Sequence, residues 1–428
     1  MSFSDWESIK INDVCRIRRG ASPRPIQDYI RDKGIPWVKI SDATVSNSRF
    51  INSTNEFIKE EGKEKSRFIK QGTLILSNSA TPGIPKFMGI DACVHDGWLI
   101  VDEFKNITDE FLYYTFINER VKLLNLSNGS VFRNLKTDIV KNYGIKLPPM
   151  SEQKAIARIL STLDEKIEVN NQINKTLENM AQAIFKQWFV DFEFPNEDGE
   201  PYKSSGGEMV ESELGMIPKG WEVKELVDVL ETLEAGNRPK GGAGNLTEGI
   251  PSIGAENIIG LGKYDYSKEK YVTEEYFAKM NKGKVNPGDV LLYKDGAQLG
   301  RKTMFMNGFP HKKCCINSHV FILRTNDMLT QSYLYFWLDQ DWVTQSIINL
   351  NANSAQPGIN QSKLKTLKIL TPKFNYVEMF DVIIKSLLNK LFENCIENNA
   401  LHKTRDALLP KLMSGEIRVP LKEEGEVS

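Results

Sequence analysis

The chain has 428 residues, 40% hydrophobic, 10% aromatic and 26% charged, which supplies cores for several globular domains and excludes wholesale disorder. No apolar run approaches the roughly 18 residues of a membrane span, no secretory signal opens the sequence, and five cysteines without a CxxC spacing suit reduced thiols in the cytoplasm. The net charge of −1 excludes a uniformly basic nucleic-acid binder, yet the balance alternates, at +4 over residues 1–150, −6 over 151–220, +2 over 221–372 and −1 over 373–428.

Residues 1–150 read as one mixed α/β block. Short apolar runs bounded by Gly and Pro, at 34–40, 72–76 and 98–101, have strand length, and Thr108 caps a helix that begins near Phe111. Pro148 and Pro149 end the block, and Ser151 caps a helix that fills 151–194. Its stripe keeps three- and four-residue spacing through Ile156, Leu163, Ile167, Leu177 and Ile184, with Asn170 on the same seam. About 35 such residues give a rod of roughly 50 Å. Residues 195–216, rich in Gly, Ser and Glu, read as an exposed, flexible linker. A second mixed block occupies 217–372, with one strand over 315–323, Cys315 in the place of Cys93, and a helix capped by Thr330. The remainder, 373–428, is a second helical region and tail whose stripe runs through Ile384, Leu388, Leu391, Leu401 and Leu408, with Cys395 and Asn398 on its seam. Two stripes of this length predict an antiparallel coiled-coil pair, in which a buried Asn fixes register at some cost in stability.

The order block, helix, block, helix is an internal repeat. Trp6-Glu7 and Asp13-Val14 recur as Trp221-Glu222 and Asp228-Val229, Gly34-Ile35-Pro36 as Gly249-Ile250-Pro251, and Lys86-Phe87-Met88 as Lys302-Thr303-Met304. The offset creeps upward to Phe192-Glu193-Phe194-Pro195 against Ile417-Arg418-Val419-Pro420. The fold class is therefore mixed α/β (α+β), two pseudo-symmetric globular blocks joined by two long antiparallel helices.

No catalytic set is visible. There is no [DN]-P-P-[YFW] tetrapeptide and no G-x-G-x-x-G opening a helix, so an amino-methyltransferase site is not expected, and 296–303 is one residue short of a P-loop. His311, Cys314, Cys315 and His319 lack chelate spacing, so no metal is assigned. Polar loops recur in both copies instead. Arg16, Arg18, Arg19, Arg24 and Lys39 surround one turn, and Arg238 and Lys240 occupy its counterpart. Asn78, Ser79 and Lys86 follow an apolar run, as do Lys294, Gln298, Arg301 and Lys302, while Arg133 and Asn134, then Gln356 and Asn360, lie in late loops. Arg and Lys hold phosphates, Arg reads guanine, and Asn and Gln read adenine, so these are the candidate DNA contacts.

The run Pro148-Pro149-Met150-Ser151-Glu152-Gln153-Lys154-Ala155-Ile156-Ala157, continuing to Leu163-Asp164, with Phe185-Lys186-Gln187-Trp188-Phe189, resembles the central region of specificity subunits of type I restriction-modification systems. Leu408-Leu409-Pro410-Lys411-Leu412-Met413-Ser414-Gly415 resembles their C-terminal region, and the resemblance runs in order along the whole chain. It implies two target-recognition domains, each reading half of a bipartite, asymmetric DNA site, with the helices setting the distance between halves. It further implies a non-catalytic chain. S-adenosylmethionine would be bound by two modification subunits, ATP and Mg by restriction subunits, and no cofactor by this chain. The alternatives are a stand-alone restriction or modification enzyme and a coiled-coil scaffold that reads nothing.

Overall fold

A computed structural model describes residues 6–45, 48–126, 134–237, 239, 246–351 and 357–419. The chain divides into two compact units, one formed by Met1–Glu168 with Ala400–Ser428 and the other by Val169–Asn399, so each long helix is shared between units rather than lying outside both.

In the first unit β1 (Arg16–Arg19), β2 (Leu74–Ser77), β3 (Pro85–Met88) and β4 (Trp98–Asp102) build a sheet in the order β1-β4-β2-β3, extended by Phe50–Ile51. Every residue of β2 and β3 is buried, which explains why β2 reads as a continuous apolar run rather than an alternating one. A second sheet carries Ile35–Val38 parallel to Ala92–Val94. Helix α1 (Asp109–Leu126) covers the core with Phe111, Leu112, Tyr114 and Phe116, and Thr108 caps it, its hydroxyl accepting from the Phe111 amide at 3.1 Å.

The second unit repeats the plan. Strands β5 (Leu230–Ala235), β6 (Val290–Tyr293), β7 (Lys302–Met304) and β8 (Val320–Thr325) lie in the order β5-β8-β6-β7. Thr330 caps the matching helix, which here breaks into Gln331–Leu338 and Asp341–Asn349. Cys93 pairs with Trp37 and Cys315 with Ser252, the same register position in each small sheet. The expected single strand over 315–323 is instead two, because Asn317 to His319 turn the chain from one sheet into the other.

Helix α2 spans Met150–Phe189, 40 residues and about 60 Å. It starts one residue before Ser151, and Gln153 secures that start: its amide donates to the carbonyls of Asn106 and Pro148 at 2.9 Å and its oxygen accepts from the Thr108 amide at 3.0 Å. The C-terminal helix α3 spans Phe374–Ser414. Within the first unit Asp164 meets Arg405, and within the second Asn170 meets Asn398 and Asn174 meets Asn394, so the helices pair antiparallel in each.

The seam differs from a continuous apolar stripe. Ile156 and Leu160 join Leu409 and Leu412 in the first unit's core, with Leu408 packed against it, while Ile384, Leu388 and Leu391 enter the second unit's core, with Leu177 and Ile184 against it. Ile167 is buried, and Leu163 and Leu401 are half-buried. At 170–174 and 394–398 the contacts are carboxamides: Asn170 donates to Asn398 and Asn394 to Asn174, each at 2.9 Å, and Asn398 to Asn171 at 2.9 Å. The two seam asparagines expected from the sequence thus bond to each other.

Residues 195–216 are not an open linker. Met209–Ser212 and Gly215–Pro218 form a hairpin, and Phe194 stacks on Tyr202 at 4.6 Å and on Trp221 at 4.8 Å. The counterpart of Trp221 is held by different chemistry. The Trp6 indole donates to Glu152 at 3.0 Å, Arg418 pairs with the same carboxylate at 2.7 Å, and the Arg418 guanidinium lies 5.3 Å from the indole centre.

Candidate DNA-reading loops

In each unit backbone hydrogen bonds tie several loops to the end of the central strands. In the first, Gly20 donates to Trp98 O at 2.8 Å, Asn78 to Gly97 O at 2.8 Å, and Leu135 to Asn78 O at 2.8 Å. In the second, Lys294 donates to His319 O at 3.1 Å and Ile359 to Lys294 O at 2.9 Å. Asn78 and Lys294 therefore hold the same place in the two junctions. The first loop of each begins at a glycine for a steric reason: a Cβ on Gly20 would fall 2.3 Å from His95 O, and one on Gly236 1.9 Å from Ile316 O.

The candidate residues do not all fall in one place. Arg19, Arg24, Ser79 and Asn134 gather at the first junction, and Lys294, Gln298, Arg301 and Asn360 at the second. Arg24, Asn134, Gln298, Arg301 and Asn360 are exposed. Asn360 also caps a short helix, its oxygen accepting from the Lys363 amide at 2.9 Å. Arg133, Arg238, Lys240 and Gln356 lie outside the described residues. Arg16 and Arg18 sit toward the other end of β1, an edge strand, where both bind Asp102 of β4, Arg16 at 2.9 Å and Arg18 at 2.5 Å. Partial burial pushes the Asp102 carboxyl up, but the hydrogen bonds from Arg16 and Arg18 outweigh it and hold it below its ordinary range. Lys39 pairs with Glu56.

Three candidates are interior: Asn78, 6% exposed, and the two lysines. Lys86 is 7% exposed and donates to Ser48 O; Lys302 is 8% exposed and donates to Thr344 Oγ1 at 2.8 Å, with Asp339 at 3.3 Å. They are not equivalent either. Leu74 faces Phe87 while Val290 faces Met304, so the strand register aligns Lys86 with Thr303 and puts the two lysines on opposite faces of their sheets. Burial lowers the Lys302 ammonium's pKa against the pull of Asp339, and brings that of Lys86 down to about 8.

A folded-state value near 8 against 10.5 for the free side chain means the unfolded chain binds more protons between those pH values. The cost of burying this charge is fully present below about pH 8, and stability rises as pH climbs through the window, by up to about 3 kcal/mol. Urea unfolding at pH 7.5 and 10 should show that rise in the native chain and a flatter profile for Lys86→Met. Equal slopes would assign the effect elsewhere.

The sequence reading missed the acids among these cations. Asp96 accepts from Ser22 Oγ at 2.7 Å and lies 3.0 Å from His95 Nε2, 3.6 Å from Arg24 and 3.8 Å from Arg19. Partial burial pushes its carboxyl up, but Ser22 and the neighbouring positive charges hold it below its ordinary range. Asp295 binds His319 Nδ1 at 2.8 Å and lies 3.7 Å from Lys294. The local hint was an Asp-Gly step at each, Asp96-Gly97 and Asp295-Gly296. Cys314 and Cys315 are buried, His311 pairs with Glu269, and no cluster of three potential metal ligands occurs among the described residues.

Comparison with known proteins agrees with this duplicated architecture. The profile of the family described as type I restriction modification DNA specificity domain matches residues 3–179 and again 218–406. Curated relatives include the type I restriction enzyme MjaIX specificity subunit of Methanocaldococcus jannaschii, 28% identical over 97% of this chain and 94% of that one. The HindI specificity subunit of Haemophilus influenzae is 24% identical over 97% of this chain and all of its own length, 100%. Among solved structures, the type I restriction-modification S subunit from M. genitalium shares the fold, with a TM-score of 0.57 at 14% identity, covering 96% of each chain. With two copies of the domain spanning most of its length, the chain belongs to the type I restriction-modification DNA specificity family.

Proposed function

We propose that this chain is the sequence-reading subunit of a cytoplasmic type I restriction-modification complex, and that each globular block, 1–150 and 217–372, reads one half of a bipartite, asymmetric site in double-stranded DNA. The observation that carries this reading is the duplicated loop junction. Asn78 and Lys294 are held by the same pair of backbone contacts, and the exposed residues of the loops so tied differ in chemistry, Arg24 and Asn134 in one unit and Gln298, Arg301 and Asn360 in the other, as two readers of different half-sites should. The chemistry comes from partners: two modification subunits binding S-adenosylmethionine methylate adenine, and restriction subunits use ATP and Mg. Near-zero net charge suits this division, since partners can supply part of the phosphate contact.

The test is methylome sequencing of a methylation-free host expressing the chain with its modification subunit. A gapped motif carrying methyl-adenine is expected, and exchanging residues 1–150 for those of a relative should rewrite one half only. A soluble, co-purifying complex that leaves no motif would reject the reading, and changes in both halves would reject independent readers.

A further inference from the structure

Each loop junction holds a carboxylate directly on its cations, Asp96 in the first and Asp295 in the second, and the two come from different loops. Asp96 lies in the turn before β4, bonded to Ser22 and close to His95, Arg19 and Arg24, while Arg19 Nε also donates to the Asp96 carbonyl at 2.7 Å. Asp295 follows β6 and holds His319 and Lys294. A surface that only gripped phosphates would lose by this arrangement, because an acid beside the cations cancels part of their field and repels the DNA backbone. A surface that reads base edges gains from it. Bidentate contact with guanine requires a guanidinium held in one orientation, and at the first junction Asp96 contributes to that hold on Arg19 and Arg24, while at the second Asp295 fixes His319 and Lys294; each acid also penalises a base that offers an acceptor where it sits.

We propose that Asp96 and Asp295 are specificity-determining positioning residues, each orienting the cations of its own junction toward base edges and each acting on one half of the recognised site. The inference rests on the DNA-reading function proposed above. Its signature is a matter of sign. Removing a phosphate-binding or purely structural group weakens binding to every sequence, whereas removing an orienting acid weakens discrimination and leaves non-specific affinity equal or tighter.

The experiment uses the chain assembled with its modification subunits and duplexes in which each half of the motif is randomised in turn. Asp96→Asn is expected to raise methylation of wrong sequences in one half by about tenfold at one or more positions. The other half should keep its preference, and affinity for a duplex lacking the motif should hold or rise. Asp295→Asn should mirror this in the other half. If Asp96→Asn disturbs folding, seen as a lowered melting temperature, Arg24→Lys serves in its place. It keeps the charge but loses the fork, and should relax the same positions. A uniform fall in affinity with unchanged discrimination in these variants would overturn the proposal, as would relaxation of both halves by one of them. The complex with the native chain controls for the function itself: if it methylates no gapped motif, the reading function fails, whereas a clean native motif left unaltered by the variants sinks this inference alone.

Discussion

Arg405→Leu is expected to destabilise the first unit by about 3–5 kcal/mol, because it strands a buried carboxylate. Asp164 is 6% exposed; it accepts from Arg405 at 2.7 Å on one oxygen and from the Tyr114 hydroxyl at 2.7 Å on the other. Without the guanidinium the carboxylate keeps one neutral donor and little water. The network continues to Arg49, which donates to Glu165 at 3.2 Å and reaches the Tyr114 hydroxyl at 3.5 Å. Replacing both charges, as in Asp164→Leu with Arg405→Leu, should recover much of the loss, since an apolar pair of similar volume has no charge to desolvate. Denaturant unfolding of the three variants decides the matter, and a double variant no more stable than Arg405→Leu would show that volume rather than charge sets the cost.

The second unit is anchored to the helices differently, and Phe189→Ala should cost a similar amount, about 3–5 kcal/mol. Phe189 is 1% exposed, with its ring centre 4.8 Å from that of Tyr333, 5.1 Å from Phe380, 5.2 Å from Phe185 and 5.9 Å from Trp221. Truncation removes these ring contacts and a fifth, with Trp188 at 6.2 Å, and leaves a cavity between α2, α3 and the block. Near-ultraviolet circular dichroism with thermal melting tests this. A melting temperature within a degree of the native one would mean that the neighbouring rings close the gap.

These two anchors show where the sequence was readable. Helical spacing predicted both long helices and placed Asn170 and Asn398 on their seam, because a 3.6-residue period and a polar interruption are local signals. The Thr108 and Thr330 caps were legible for the same reason. What escaped was non-local. Asp102 and Asp96 follow Arg16 and Arg24 by more than 70 positions, and only strand pairing brings them together. Lys86 and Lys302 looked equivalent because an ungapped alignment cannot see which residue each faces across the sheet. The hairpin at 209–218 was hidden by its composition, which suits a linker as well as a tight turn, until the Phe194 stack fixes its base.

The clasp on Trp6 has a genetic corollary. Arg418 and Glu152 close on that indole, and a Cβ on Gly415 would stand 3.5 Å from its ring, so the stretch around 415–418 completes a block encoded far upstream of it. A nonsense codon late in the gene would therefore damage the reader translated first and spare the one translated second, whose Trp221 is covered from within by Phe194.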